Sequence, residues 1–467
     1  MIPMSAGEIA GIVNGRLHEM LPTEIITQNP AIDSRTISAD NFFLAFVGEN
    51  VDGHDFAVSA ISRGAKFALV SKSVAGPSIL VADTGIALRK LAAAVRAKLG
   101  QLTVIGITGS QGKTTTKDLL HHLLANIAAT VAPAGNLNNE IGVPLTLLRC
   151  TEETKFCIVE MGARHVGDIA ELVKIAQPNI GVVLNIGRAH IGEFGSRAQI
   201  AQAKGELIVG LSPDAIAVLG NYDEFTPYLA DAMPNRRIIF GEKGNCEVRA
   251  ADVELREGRA HFDLVTPEGR QAVSLQLLGL HQLSNALAVA AIATAIGIPL
   301  ESIAALLSTA EPSSKWRMQL HEEAGLLLIN DAYNANPDSM AAALRTLALL
   351  AQERGGLSWA FLGKMNELGE STVEEHRAIG RLVSDIGIDH LVVVGTTLFT
   401  GPFTGERKLS EDLGDDTTVH VRESIDDALP LSNHFSSGDV VLVKASRSER
   451  FDELAQKLLD RWRGKPA

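Results

Sequence analysis

The sequence predicts an α/β protein whose domains are built on mostly parallel sheets, and three observations support this fold class. Short segments rich in Val, Ile and Leu alternate with helical patterns along most of the chain, an order typical of strands joined by crossover helices. Residues 103–117, TVIGITGSQGKTTTK, have the pattern of a strand, a glycine-rich turn and the start of a helix. The length of 467 residues suggests about three domains, at roughly 150 residues each.

The composition narrows the class of function. A net charge of −13 and an isoelectric point near 5.5 argue against a nucleic acid or an anionic membrane surface as the partner. Cys150, Cys157 and Cys246 form no C-x-x-C pair, which is typical of reduced core thiols in a cytoplasmic protein. The N-terminal sequence lacks the pattern of a signal peptide. The longest apolar stretch, residues 286–300, is shorter than the ~20 residues of a membrane span, so we predict a buried helix there and no membrane span.

We predict a first domain at residues 1–98. Its motif Asp33-Ser34-Arg35 could bind an anionic or ribosyl ligand through Ser34 and the planar guanidinium of Arg35. A surface ion pair between Asp33 and Arg35 is the alternative. The expected elements are strands at 41–48, 65–70 and 79–81, with a turn and a helix between 52 and 63.

The glycine-rich turn at residues 108–114 is the strongest functional motif. Its glycines would let backbone N–H groups curl around phosphate oxygens, and the helix N-terminus would add partial positive charge. Lys113 is placed to reach the terminal phosphates, and the Thr114 hydroxyl to bind Mg²⁺. The strict pattern G-x-x-x-x-G-K-[ST] needs glycine where this chain has Ile107, so a chance glycine-rich turn is the alternative. The expected nucleotide contacts in the turn are Thr108, Gly109, Ser110, Gln111, Gly112, Lys113 and Thr114.

Three further polar side chains follow predicted elements of the central region, residues 99–318. Glu160 ends a strand and is suited to hold Mg²⁺ opposite Thr114. His190 follows the next strand and could be a metal ligand, although a single histidine in this position is more often structural. Lys204 lies on the helix after that, where a lysine would ordinarily be a solvated charge. For His190, only its neighbours at the same sheet edge favour a functional role.

The loop GNLNNEIGVP, at residues 135–144, could offer the amides of Asn138 and Asn139 to a polar substrate. Asparagine and glycine also simply form turns, which is the alternative. The other central elements are expected as strands at 156–159, 178–184 and 215–220, a helix at 199–210, β-hairpins across 237–278 and the buried helix at 286–300.

A third α/β unit is predicted at residues 319–467. A strand at 326–329 leads into the block NDAYNANPDS, at 330–339. The remaining elements are expected as helices at 340–350 and 374–386 and strands at 359–362, 391–394 and 440–443. The alternation of strands and helices again favours a mostly parallel sheet.

Together, these motifs identify the chain as a member of the Mur ligases, the ATP-dependent amide-forming enzymes of peptidoglycan synthesis. The phosphate loops of that family have the form T-G-S/T-x-G-K-T, which resembles residues 108–114 and explains Ile107. GNLNNEIGVP and NDAYNANPDS are the most specific blocks, and the resemblance covers nearly the whole chain. The other matching blocks are residues 33–35, 52–54, 160–163, 185–190, 203–206, 281–285, 316–318 and 362–369.

The resemblance implies an architecture and an activity. The N-terminal domain would hold the UDP end of a sugar-peptide, the central domain would hold ATP, and a C-terminal Rossmann-like domain would close over the site. The best match is to the branch that joins D-alanyl-D-alanine to UDP-N-acetylmuramoyl-tripeptide through an acyl phosphate, releasing ADP and phosphate. The resemblance further implies a monomeric, cytoplasmic, bacterial enzyme that works on small molecules.

Roles for single residues also follow from the resemblance. Lys113 and Thr114 would contact phosphate and a first Mg²⁺, which Glu160 would share. His190 resembles a ligand of a second Mg²⁺. Lys204 matches a lysine that is carbamylated in relatives, a change that turns a cation into a carboxylate-like group able to support the second metal.

The resemblance assigns five more contacts across the second and third domains. Asn285, Arg317 and Asp331 look like contacts to ATP. Asn334 and Asn336, in the NDAYNANPDS block, look like contacts to substrate. Arg317 would reach ATP from the linker and Asp331 from the closing domain.

Two positions depart from the family pattern. Lys364 stands where aspartate is usual, which reverses the charge. Ala445 stands where glycine is usual in a Lys-Gly-Ser-Arg block, and alanine adopts a positive φ less freely than glycine. We therefore expect no acidic role at residue 364 and a slightly different loop at residue 445.

Other functions share part of the pattern. A sister ligase or a folylpolyglutamate synthetase, each adding a single amino acid, would have the same phosphate loop. The diaminopimelate-adding sister typically carries Asp-Asn-Pro-Arg, whereas residues 336–338 here read Asn-Pro-Asp with no arginine following. A nucleotide-gated scaffold without chemistry is a rival from another class. Glu160, His190 and Lys204 together argue against it, because ATP binding alone needs no second metal site.

Overall fold

The architecture comes from a computed structural model of the chain, which describes residues 1–48, 50–135, 137–189, 191–231, 236–401, 405–408 and 417–463. Three sheets of five, nine and seven strands organise these residues, and two further short strands pair with each other. Most neighbouring strands in the three sheets run parallel. The predicted α/β fold class is therefore confirmed.

The five-stranded sheet lies in the N-terminal region. Its elements are β1 Met4–Ser5, α1 Ala6–Val13, β2 Arg16–His18, β3 Ile25–Ile26, β4 Asn29–Ala31, β5 Asn41–Leu44, α2 Ala57–Ser62, β6 Ala68–Val70, β7 Ser78–Leu80 and α3 Thr84–Lys98. The strand order is β2-β7-β6-β5-β4, and only the β2–β7 pair is antiparallel. Helix α3 begins where the Asp83 side chain accepts a hydrogen bond from Ile86 N at 2.7 Å, which satisfies a free N–H group of the first turn.

The nine-stranded sheet forms the central region. Its elements are β8 Thr103–Thr108, α4 Lys113–Ala125, β9 Thr130–Val131, α5 Gly142–Leu147, β10 Phe156–Glu160, α6 Asp168–Ala176, β11 Ile180–Val183, α7 Ile191–Phe194, α8 Arg197–Val209, β12 Ile216–Gly220, β13 Arg236–Gly241, β14 Val248–Arg256, β15 Arg259–Thr266, β16 Gly269–Leu278, α9 Gln282–Ile296 and α10 Leu300–Thr309. The strand order is β16-β15-β14-β13-β12-β11-β8-β10-β9. The chain leaves β8 toward β10 on one side and returns to β11 on the other. This switch in strand order opens a crevice at the carboxyl ends of the strands.

Two central predictions were wrong in detail. Strand β13 pairs in parallel with β12, so the hairpins comprise only β14, β15 and β16. A short strand with polar flanks has the same sequence pattern in either arrangement. The apolar helix α9 ends at Ile296, before the predicted limit of 300, because Gly297 follows it in the left-handed conformation with φ 86°.

The seven-stranded sheet forms the C-terminal region. Its elements are β17 Gln319–Glu323, β18 Leu326–Asn330, α11 Pro337–Arg354, β19 Ser358–Leu362, α12 Thr372–Asp385, β20 His390–Val394, β21 Gly405–Lys408, β22 Thr418–Arg422, α13 Ile425–Ala428, β23 Val440–Lys444 and α14 Phe451–Arg463. The strand order is β17-β18-β23-β19-β20-β22-β21, with antiparallel pairs only at the two edges. Helix α11 is longer than predicted because Asn336 and Ser339 form a capping box and Pro337 occupies the first turn.

One hydrophobic cluster spans the N-terminal and central regions, in addition to a smaller cluster in the first and a large one in the second. Buried side chains from α1 and α3 belong to the same cluster as those of α5, α6 and α8. At this seam the buried guanidinium of Arg96 donates hydrogen bonds to the carbonyl oxygens of Ala176 and Gln177, each at 3.1 Å. The C-terminal sheet instead has a core on each of its faces, formed almost entirely by its own side chains.

The predicted domain limits, 98/99 and 318/319, fall between the three large sheets and stay predictions. The structure offers no helix of the length and apolar character that a membrane span needs within the residues it describes.

Candidate active site

A cavity of about 1020 Å³ lies at the carboxyl ends of the central strands. The phosphate loop, the loop before α5 and the start of α9 form its central-region wall, and residues following β18 face them from the C-terminal region. The cavity brings together most of the predicted site residues. Those that line it are Ser110, Gln111, Gly112, Lys113, Thr114, Asn138, Asn139, Glu160, Lys204, Asn285, Arg317, Asp331, Asn334 and Asn336.

The phosphate loop is held open by the segment that follows β11. Ser110 N donates to the Asn185 carbonyl oxygen at 3.0 Å, and Gln111 N donates to the Asn185 side-chain oxygen at 3.1 Å. Gly112 has a φ of 81°, and a Cβ there would stand 2.3 Å from Asn285 Oδ1. Only glycine therefore fits at the point where the loop passes α9.

Thr114 and Glu160 form a compact group of oxygens beside the loop. The Thr114 hydroxyl donates to Glu160 Oε2 at 3.0 Å, and Asn138 Nδ2 donates to Glu160 Oε1 at 3.0 Å. Both Thr114 and Glu160 are buried. Hydroxyl and carboxylate oxygens suit Mg²⁺, which is usually held by one or two carboxylates together with substrate phosphates. Accordingly, among the described residues no three His, Cys, Asp or Glu side chains form a metal-binding group.

Two lysines whose pKa values are lowered line the cavity. Lys113 Nζ donates to the Gly109 carbonyl oxygen at 2.7 Å. Burial lowers the pKa of Lys113, the Glu160 carboxylate opposes this effect, and Arg317 adds to it. Lys204 is only 2% exposed, and its pKa lies well below the usual value because of burial first and the charge of Lys113 second. The solvated charge that the sequence favoured for Lys204 is thus absent.

The C-terminal region contributes a buried ion pair to the cavity. Lys444 Nζ lies 2.6 Å from Asp331 Oδ2 and donates to the Asn334 carbonyl oxygen at 2.8 Å. The Lys444 side chain is 2% exposed and that of Asp331 13%. Asp331 also accepts a hydrogen bond from Met318 N at 3.1 Å. Asn336 caps α11 through its side chain, so it has a structural role at the cavity edge.

Arg317 joins the central and C-terminal regions. Its Nη2 donates to the Thr114 hydroxyl at 3.0 Å, and its guanidinium lies 4.0 Å from the centroid of the Tyr333 ring. The Arg317 Nε is buried and without a hydrogen-bond partner among the described residues. Trp316 and Met318, on either side, both have a left-handed backbone, with φ 60° and 49°, which is uncommon for residues with a bulky side chain.

Some predicted residues lie outside the cavity lining. Thr108, at the end of β8, is buried, and the Gly109 carbonyl oxygen accepts a hydrogen bond from Lys113 Nζ. The Arg35 guanidinium, whose side chain is 84% exposed, pairs with Asp33 at 2.7 Å, as the alternative interpretation expected. Ser34 lies beside that pair, and neither it nor Arg35 lines the cavity. His190 lies outside the described residues.

Sequence reasoning missed several residues that shape the site. Lys444 belongs to the block that resembles Lys-Gly-Ser-Arg, but the sequence alone did not indicate its pairing with Asp331. His281 lines the cavity, and burial lowers its pKa to about 4. Arg188, beside the predicted metal ligand, forms an ion pair with Glu375 of α12 at 2.6 Å. The two ion pairs could not be inferred because their partners are 113 and 187 residues apart.

The two family departures fit the structure in different ways. Ala445 has no positive φ, so glycine is not required there. A Cβ on the facing Gly363 would stand 2.8 Å from the Ala445 Cβ, which shows that Gly363 makes the room that Ala445 fills. Lys364 is exposed and does not line the cavity.

Comparison with known proteins identifies the family. The sequence profiles of the Mur ligase middle domain, the Mur ligase glutamate ligase domain and the Mur ligase family catalytic domain match residues 107–293, 316–447 and 29–99. The UDP-N-acetylmuramoyl-tripeptide–D-alanyl-D-alanine ligase of Mycobacterium tuberculosis strain H37Rv is 40% identical, over 98% of this chain and 98% of its own. The chain belongs to the Mur ligase family.

Solved structures agree with this assignment. This Mur ligase superposes on MurF from Acinetobacter baumannii with a TM-score of 0.87 and 34% identity, over 98% of this chain and 99% of the other. MurF from Thermotoga maritima, solved in complex with ADP, gives a TM-score of 0.78 and 29% identity, over 93% and 99%. A diaminopimelate ligase and the FPGS of L. casei, at 16% and 14% identity and a TM-score of 0.55 each, share the fold alone.

Proposed function

We propose that this Mur ligase uses ATP to join D-alanyl-D-alanine to UDP-N-acetylmuramoyl-tripeptide. The observation that carries the proposal is the phosphate-loop Lys113 beside the Thr114–Glu160 pair, in a chain whose 40%-identical relative carries that activity in its name. The single-amino-acid ligases are the weaker candidates, because their structures resemble this chain only at the level of fold.

ATP would bind between the phosphate loop and the C-terminal region. Backbone N–H groups of residues 109–114 and the amino terminus of α4 would hold its phosphates. Asn285 and Asp331 line the opposite parts of the cavity and would contact the rest of the nucleotide. Lys113 would neutralise the terminal phosphate, and Arg317 is close enough to Thr114 to do the same from the linker.

Thr114 and Glu160 would hold the first Mg²⁺. Their oxygens are the hard donors that this ion prefers, and they already point at one another. Bound Mg²⁺ would offset the charge of the phosphate oxygens. A second ion, with His190 and a modified Lys204 as ligands, is the family expectation that we retain as part of the proposal.

Carbamylation of Lys204 is chemically favoured by its surroundings. CO₂ reacts with a neutral amine, forming an N–C bond as the nitrogen loses a proton, and the lowered pKa of Lys204 favours that neutral form. The product is an anion, which would lie near the positive Lys113. The carbamate would thereby gain an attractive contact with Lys113 that the neutral amine cannot make.

The reaction would proceed in two steps. The terminal carboxylate of the tripeptide attacks the γ-phosphorus, and ADP leaves. The amine of D-alanyl-D-alanine then attacks the acyl carbon, phosphate leaves, and the nitrogen gives up a proton as the amide forms. Lys113 and Arg317 would stabilise the anions that approach each other, and the residues after β18 would cover the acyl phosphate against water.

The remaining substrate contacts follow the same plan. Asn138 and Asn139 line the cavity from the central region, and Asn334 and Asn336 line it from the C-terminal region, where they would contact the sugar-peptide and the dipeptide. Ser34 and Arg35 would hold the UDP end. We further propose that the enzyme works as a monomer in the bacterial cytoplasm.

Phosphate release tests the function directly. The enzyme would be given Mg-ATP and UDP-N-acetylmuramoyl-tripeptide, with D-alanyl-D-alanine or a single amino acid as acceptor, and Lys113→Ala would set the background. Release that depends on the dipeptide is the expected result. Release with a single amino acid would assign the chain to a sister activity, and no release with any acceptor would refute the ligase proposal.

A further inference from the structure

A second cavity, of about 470 Å³, lies beside α4 and is lined by Arg317 of the linker. Its wall combines one face of α4, the segment 132–135 after β9, Arg149 and the linker residues 313–317. Thr114 and Arg317 line both this cavity and the large one. The hydrogen bond between them therefore lies at the partition of the two spaces.

The lining of the second cavity is cationic. Lys117, Arg149, Lys315 and Arg317 line it, against the single carboxylate of Asp118. Lys117 and Asp118 neutralise each other, with Nζ and Oδ1 2.6 Å apart. Across the described parts of the chain, neither Arg149 nor Lys315 has an ion-pair partner. Their charges are available to an anion.

The carbonyl oxygens in the wall of the second cavity would not repel an anion, because they already accept hydrogen bonds from cationic side chains. The Ala132 carbonyl oxygen accepts a hydrogen bond from Arg149 Nη1 at 2.9 Å, and the Pro133 carbonyl oxygen accepts one from Lys117 Nζ at 3.3 Å. Each carbonyl thus already faces a cation. Burial first and Lys117 second lower the pKa of His121, which disfavours its charged form, and its ring can donate a hydrogen bond.

We propose that this cavity binds orthophosphate and is the route by which the phosphate product leaves. The proposal rests on the proposed function, since orthophosphate is formed only if ATP is cleaved between its β- and γ-phosphates. The phosphate would form beside Thr114, and a rotation of Arg317 would open the partition toward Arg149 and Lys315. ADP and the peptide product would still occupy the large cavity at that moment.

Binding would be measured calorimetrically with inorganic phosphate on the enzyme saturated with Mg²⁺ and a β,γ-imido ATP analogue, at fixed ionic strength. The analogue fills the phosphate loop, so any added phosphate must bind elsewhere. The double variant Arg149→Gln and Lys315→Gln is expected to weaken binding at least about tenfold, because two charged donors are lost. The control is Lys243→Gln with Arg256→Gln, two exposed cations of the same region, which should leave binding unchanged.

Turnover measurements show whether the phosphate that binds in this cavity comes from bulk solution or from the reaction. If the cavity is the exit, added phosphate should lower kcat without raising the KM for ATP, and the Arg149/Lys315 double variant should lose this inhibition. Binding without inhibition would refute the exit route and leave an anion site filled from solution. No binding to the analogue complex, or equal binding by both double variants, would overturn the proposal. None of the binding measurements requires ligase activity, so failure of the proposed function would be recognised separately, by phosphate release.

Discussion

The buried pair of Lys444 and Asp331 gives the sharpest test of the energetics. Replacing Lys444 by methionine keeps the length of the side chain but removes two contacts, to Asp331 Oδ2 at 2.6 Å and to the Asn334 carbonyl oxygen at 2.8 Å. Among the described residues, the Asp331 carboxylate, 13% exposed, would then keep only its bond from Met318 N. Breaking a buried pair on one side costs about 3–5 kcal/mol, and we expect that loss for Lys444→Met.

The chain carries its own probe for this measurement. All three tryptophans, Trp316, Trp359 and Trp462, lie in the C-terminal part of the sequence. Urea unfolding followed by tryptophan fluorescence therefore reports on the region that contains the pair. The matched control is Lys457→Met, which removes an ion pair of similar length, 2.7 Å, whose side chains are 46% and 76% exposed. Such surface pairs contribute about 0–1 kcal/mol.

A double variant separates charge burial from lost packing. Adding Asp331→Asn to Lys444→Met removes the stranded carboxylate, and we expect it to recover at least about 1 kcal/mol relative to Lys444→Met alone. If Lys444→Met costs no more than Lys457→Met, or if the double variant is no more stable than the single one, the account of a buried charge pair is refuted.

Four further outcomes are expected. Lys113→Ala should nearly abolish phosphate release with an unchanged circular dichroism spectrum. Wild-type turnover in this variant would contradict the assignment of Lys113 to the active site. Lys204→Ala should be weakly active and partly rescued by added short-chain carboxylates. Full activity without rescue would refute the carbamylation of Lys204. Gly112→Ala should weaken ATP binding at least about tenfold, because a Cβ would stand 2.3 Å from a side-chain oxygen, whereas Gly100→Ala, with open space around it, should not. Because the pKa of His281 falls to about 4 in the fold, its protonation favours unfolding as pH drops from 6.5 toward 4; His281→Gln should lose less stability over that range, and an identical pH profile would contradict this.

Local patterns predicted the centre of the site well. The strand, glycine turn and helix at 103–125 are confirmed as elements, and the structure brings Thr114 and Glu160 into hydrogen-bond contact, as their positions after neighbouring strands suggested. Carboxyl ends of adjacent parallel strands meet at one edge of a sheet. The positions of these residues along the chain therefore predict that they lie close together. The roles of these residues with ATP and Mg²⁺ stay predictions.

Contacts between distant segments could not be predicted in the same way. Lys444 reaches Asp331 across 113 residues, and Arg188 reaches Glu375 across 187, so no periodicity links them. The orientation of β13 was equally hidden, because the pairing direction of a short strand depends on which neighbour it meets. Burial also overturned the expectation of a solvated charge at Lys204, because this side chain is buried. The helix that carries it is only weakly amphipathic.

The core shared by the N-terminal and central regions has a consequence for how the chain can be divided. A fragment ending near residue 98 would expose the apolar face of α3 and leave the guanidinium of Arg96 without its carbonyl partners, so it should aggregate instead of folding alone. The C-terminal region keeps nearly all of its core within itself and meets the requirement for an autonomous folding unit. Among the described residues, three sheets therefore form two units of stability. The cleft where ATP would bind lies at the boundary between them, and we expect a chain cut there to give two folded proteins.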